Sequence, residues 1–75
     1  KKEALEVYDE GLKIFPTFYQ LHFNKGVTLA GEQRYDEAIL SFEKSVSHNP
    51  GHASSHSAIA QLNLMKGQKI KSILA

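Results

Sequence analysis

Apolar residues recur along this chain at spacings of three and four, the period of one face of an α-helix. Between residues 34 and 50, Ala38, Phe42, Ser45 and Val46 share such a face. Asp36 and Glu37 fall in the first turn, where the helix dipole favours acids, and Asn49-Pro50-Gly51 stops the helix. Residues 1–15 carry a similar stripe of Ala4, Leu5, Tyr8, Leu12 and Phe15, with lysines and glutamates on the far side. Gly11 interrupts it at a cost of about 1 kcal/mol against alanine, which points to a close helix crossing. Pro16 ends this helix and pushes Phe15 out of the α region. Thr17 and Gln20 have capping-box spacing, which predicts a helix over about 18–31. Leu21, His22, Gly26 and Leu29 fall on one of its faces; Phe23, Asn24, Val27 and Gly31 fall on the other. The short polar turn Gly31-Glu32-Gln33-Arg34 forces an antiparallel pair. Residues 52–66 read as a fourth helix, Gly67 as a turn, and residues 70–75 as the start of a fifth.

The pattern repeats. A shift of 34 residues brings Pro50 onto Pro16, Phe42 onto Tyr8, Ile39 onto Leu5, Ala38 onto Ala4 and Glu37 onto Glu3. The same shift brings His56 onto His22, Ala60 onto Gly26, Gly67 onto Gln33, and Ser72-Ile73 onto Ala38-Ile39. A fixed period of that length is the signature of a solenoid. On these residues the chain resembles the tetratricopeptide repeats. Residues 19–52 match best, with Gly26, Leu29, Tyr35, Ala38, Phe42, Ser45 and Pro50 in place. Ala4, Tyr8, Gly11 and Pro16 supply the preceding half, and Ile59, Ala60, Gly67 and Ser72 the following one. The pattern departs from the family at His22 and His56, where a large aromatic is common, at Lys25, and at Asn63. The resemblance implies an all-α fold of antiparallel helix-turn-helix repeats stacked as a right-handed α-solenoid. The expected division of the single segment 1–75 is 1–16 as the second helix of a partial repeat, 17–50 as a complete repeat and 51–75 as a partial one. The chain opens and closes inside helical patterns, which reads as a segment of a longer one.

The resemblance also implies protein–protein interaction, since the first helices of such repeats line a concave groove that receives an extended peptide or a partner helix. Carried onto this chain, the groove consists of Gln20, Phe23, Asn24, Val27 and Gly31, continued by Ser54, Ser57, Ala58, Gln61 and Met65. It is amide-rich and almost uncharged, with Phe23, Val27 and Met65 as apolar anchors. Of the lysine, arginine and asparagine set that clamps a C-terminal carboxylate in the best-known groove of the family, only Asn24 is present. Ser54 and Ala58 stand where the cations belong, so a carboxylate clamp is not expected. Two other readings compete: a structural spacer with no ligand, and self-association through the terminal helices, resting on Tyr8, Ile70, Ile73 and Leu74.

Composition narrows the alternatives. With 41% hydrophobic and 23% charged residues the chain is of globular type. A net charge of +1 with interspersed signs provides no basic patch for nucleic acid or an anionic bilayer. No apolar run approaches the roughly 20 residues of a membrane span, so no insertion is expected. The absence of cysteine excludes disulfides and zinc–thiolate sites and fits a reducing cytoplasm. His48, His52 and His56 are spaced by four, but Asn49-Pro50-Gly51 breaks any helix through them, so no metal site is expected. Ser54, Ser55 and Ser57 lie near His52 and His56 without an oxyanion-hole glycine loop. No phosphate loop or dinucleotide fingerprint occurs, and neither catalysis nor a cofactor is expected.

Overall fold

A computed structural model of the chain describes the backbone of residues 2–74 and the side chains of residues 4–68. The described residues form four helices and no strand: α1 (Lys2–Ile14), α2 (Tyr19–Gly31), α3 (Tyr35–His48) and α4 (Ala53–Leu74). Each helix packs chiefly on its neighbour in sequence, most extensively α2 on α3. The Cα trace measures 46 × 29 × 13 Å. Its thin dimension is that of two helix layers about 8–10 Å apart.

The α2/α3 pair encloses the core. Leu29, Ala38, Phe42 and Leu62 are its buried apolar residues, flanked by half-buried Leu5, Phe23, Ala30, Tyr35, Ile39, Ala58 and Ile59. Phe42 fits because Gly26 has no side chain: a Cβ there would stand 2.7 Å from the Phe42 ring. Ser41, which the hydrophobic pattern passes over, is buried beside it. The next crossing, between α3 and α4, is hydroxyl-bridged. Ser45 and Ser55 are both fully buried, and the Ser55 hydroxyl donates to Ser45 Oγ at 3.0 Å. One period earlier the same crossing is made by Gly11 against Leu21, whose Cδ1 lies 2.9 Å from where a Cβ on Gly11 would be. The close crossing expected at Gly11 is present.

Two expectations are corrected. Thr17 does not cap α2; the N-cap is Phe18, with no side-chain cap bond. Pro16 and Thr17 form a turn in which the Phe18 N–H reaches the Phe15 carbonyl at 3.1 Å, so Thr17 lies outside the helix and its box with Gln20 does not form. The second correction is that α4 runs unbroken through Gly67, giving four helical segments rather than five. The α2–α3 turn relies on Gln33 at φ +64°, with Gln33 N–H on Ala30 O at 3.0 Å and Arg34 N–H on Leu29 O at 2.9 Å. Gly67 could adopt that conformation at little cost, yet a lone glycine costs a continuing helix only about 1 kcal/mol, and no proline follows to stop it. The expected roles of Ile70, Ile73 and Leu74 lie outside the described side chains.

Candidate functional site

The repeat is visible in side-chain chemistry as well as in helix order. The His22 ring donates its Nε2–H to the carbonyl of Pro16 at 2.9 Å, and His56 makes the same bond to Pro50 at 2.7 Å. Each histidine therefore ties the start of its helix to the proline turn before it. His22 is buried and stacks on His48 at 5.5 Å, whereas His56 is exposed.

His52 is the residue before α4 and anchors that helix from outside. Its ring meets Tyr19 and Phe23 edge-on, each at 5.0 Å, and its Nδ1 lies 2.6 Å from Ser55 Oγ. Because the Ser55 hydroxyl donates to Ser45, its oxygen accepts from His52 Nδ1–H, which fixes the proton on that nitrogen. This is a serine–histidine contact, but the hydroxyl is buried and already donating. It bridges two helices and is not a nucleophile facing a cleft.

The concave surface between α2 and α4 holds an open pocket of about 210 Å³. Val27 and Ala30 form its α2 wall, Ala58, Gln61, Leu62 and Met65 its α4 wall, and Tyr35 and Phe42 its floor. Val27 is 50% exposed and Met65 is also exposed, so the walls present apolar surface to solvent, with the Gln61 amide as the polar group. At the rim, Lys66 of α4 pairs with Asp36 of α3 and neutralises the charge there. Arg34 holds Glu37 in a two-pronged ion pair at 2.9 and 2.6 Å, and this keeps the Glu37 carboxyl below its ordinary range.

Of the residues assigned to the groove from sequence, Val27, Ala58, Gln61 and Met65 come together in this pocket. Gln20, Asn24, Gly31, Ser54 and Ser57 are exposed and lie outside its lining. Phe23 is half-buried, its ring engaged by Phe42 at 5.5 Å and by His52, and it also lies outside the lining. Sequence reading missed Ala30, Tyr35, Phe42 and Leu62 as lining because their spacing marks them as core. They are core residues whose outer edges reach the pocket. Tyr35, at the first position of α3 and beside the turn, carried the one available signal: an aromatic placed where two first helices converge.

On the opposite side, a recess of about 160 Å³ is lined by Lys25, Leu29, Glu37, Leu40, Ser41 and Lys44. Lys25 is tied to Asp9 of α1 at 2.8 Å. Among the described residues no group of three histidine, cysteine or acidic side chains is placed to hold a metal ion, and no helix is long and apolar enough to cross a membrane.

In comparison with known proteins, residues 19–52 match the family model of the tetratricopeptide repeat. No solved structure matches the chain.

Proposed function

From the premise that residues 19–52 form a tetratricopeptide repeat, a repeat that generally mediates protein–protein interaction and is typically a non-enzymatic scaffold, we propose that the chain is a non-catalytic binding module. It seats an apolar side chain of a partner peptide or helix between α2 and α4. The observation that carries this is the pocket between Val27, Ala58, Gln61 and Met65. Its size, about 210 Å³, is below the roughly 300–1,000 Å³ of small-molecule sites and suits a single side chain. Gln61 within the pocket, and Gln20, Asn24, Ser54 and Ser57 around it, offer hydrogen bonds to a partner's backbone, with Gly31 leaving room at the end of α2. Phe23 supports the wall from behind by holding His52. Among the described residues, the rim cation Lys66 is paired with Asp36, which favours an apolar, uncharged ligand over one ending in a carboxylate.

Selection from a random peptide library on the immobilised chain, followed by fluorescence anisotropy with the best peptide, tests this reading. The enriched peptides are expected to share a Leu- or Met-sized residue. Val27→Asp and Met65→Asp, both at exposed positions, are expected to weaken binding at least tenfold, because an unpaired carboxylate would be desolvated on docking. A library with no enrichment, or binding indifferent to both substitutions, overturns the reading.

A further inference from the structure

All four histidines gather at the end of the helices where Pro16 and Pro50 make their turns. The stretches that build this end, 14–24 and 45–65, contain no Asp, Glu, Lys or Arg. His22 is 7% exposed and donates its Nε2–H to the Pro16 carbonyl, so a second proton would go to Nδ1. Its ring stacks on that of His48, the last residue of α3, with centroids 5.5 Å apart and planes inclined by 25°. Lys25 stands one turn beyond His22 on α2, and Lys44 one turn before His48 on α3. The two lysines line the recess on this side of the α2/α3 seam, so the seam carries two lysines and two histidines in succession. α1 brings Asp9, which Lys25 already holds at 2.8 Å, and the exposed Glu10 and Lys13. Glu43 of α3 is exposed and lies outside the recess. From the α4 side, His52 is engaged by Tyr19, Phe23 and Ser55, and His56 by the Pro50 carbonyl. Among the described residues no carboxylate pairs with either stacked ring.

We propose that the His22–His48 stack is a pH-sensitive clasp between α2 and α3, closed while both rings are neutral and open once both carry a proton. Neutral imidazoles pack face to face as other offset aromatic rings do. Two imidazolium rings 5.5 Å apart repel, and Lys25 and Lys44 on the same seam add to that repulsion against a single, committed Asp9. Histidine gains its proton between about pH 8 and 5, so the stack is complete at the upper end of that interval and lost as pH falls through it. His48 is the ring that leaves. It is exposed and ends its helix, whereas His22 is buried and keeps its bond to Pro16, because Nε2–H donates in either state. His48 runs directly into Asn49-Pro50-Gly51, so its release loosens the turn to which His56 ties the start of α4.

Thermal melts of the 75-residue chain at about pH 8 and about pH 5 in low salt test the proposal, beside histidine ring NMR at the same two conditions. The parent is expected to show ring-to-ring contacts between His22 and His48 at the higher pH and none at the lower. Its melting temperature is expected to fall by about 4–8 °C, the shift that loss of one modest contact makes in a domain this small. His48→Gln, at an exposed position, is expected to melt below the parent at the higher pH and with it at the lower. His22→Phe keeps a ring in the stack but cannot take a proton, and most of the fall is expected to disappear; His56→Gln is expected to keep it. A parent melt equal at both pH values overturns the proposal. So do ring contacts that persist in acid, a fall undiminished in His48→Gln, or one removed by His56→Gln instead. Should His22→Phe fail to fold by circular dichroism, the His48→Gln comparison decides alone.

Discussion

Gly26 and Gly67 are both helical glycines, and their surroundings give substitution opposite signs. At Gly26 an added Cβ meets the Phe42 ring at 2.7–2.9 Å, and that ring is only 2% exposed. Overpacking of this kind costs about 1–3 kcal/mol and outweighs the gain of about 1 kcal/mol in helix propensity. At Gly67 nothing among the described residues lies within 4 Å, so the propensity gain is what remains. Chemical denaturation should therefore show Gly26→Ala to be less stable than the parent, while Gly67→Ala should raise helicity by circular dichroism. Phe42→Ala removes the partner of that crossing and should cost about 3–5 kcal/mol, enough to unfold much of a domain this small. A parent-like melt for Phe42→Ala would remove it from the core. This glycine–aromatic pair was legible in the sequence, because a small residue and a large one recurred at fixed register. Ser41 and the Ser45–Ser55 bridge were not: a serine gives no hydrophobic signal, and only the crossing shows that its hydroxyl has a partner.

At the scale of the helices, the ends were harder to read than the faces. Thr17 satisfies the spacing of a capping box, but the preceding Pro16 draws it into a turn and Phe18 takes the cap position. Gly67 stands where Gln33 makes a turn, yet no packing partner among the described residues rewards a turn there, and α4 runs on. Local chemistry permits a turn, and tertiary packing decides whether it forms. Gln33 itself holds φ +64°, which a side chain resists by about 1–2 kcal/mol. Gln33→Gly should thus stabilise the α2–α3 pair by up to about 1 kcal/mol; a clear loss in the thermal melt would mean the glutamine side chain makes a compensating contact. The adjoining Arg34–Glu37 pair supplies a pH signature. Glu37 titrates below its ordinary value when folded, since Arg34 hydrogen-bonds its charged form. Its contribution is complete above the ordinary glutamate value and is lost as pH falls through the lower, folded one. The pair is fully exposed, so the effect is a small drop in melting temperature on acidification that salt diminishes and Glu37→Gln lacks.

For the molecule as a whole, the fold class was legible from one number, the 34-residue shift that superposes Pro16 on Pro50 and Tyr8 on Phe42. The candidate site was legible in part. The groove that the family resemblance implies includes Val27, Ala58, Gln61 and Met65, and these four line the pocket. The resemblance could not show that Phe23 leans back onto Phe42 and His52, since that depends on the angle between helices rather than on spacing. The pocket also draws on Tyr35 and Phe42 of α3, because a floor between two first helices has to be supplied by the second helix that joins them. The measurement that tests this account most directly is an NMR titration of the isotope-labelled 75-residue chain with a library-selected peptide, following backbone and methyl shifts. The account predicts that the largest changes fall on Val27, Ala58, Gln61 and Met65, while the recess around Lys25, Leu40 and Lys44 stays still. Changes centred on that recess, or spread evenly over all four helices, would contradict it.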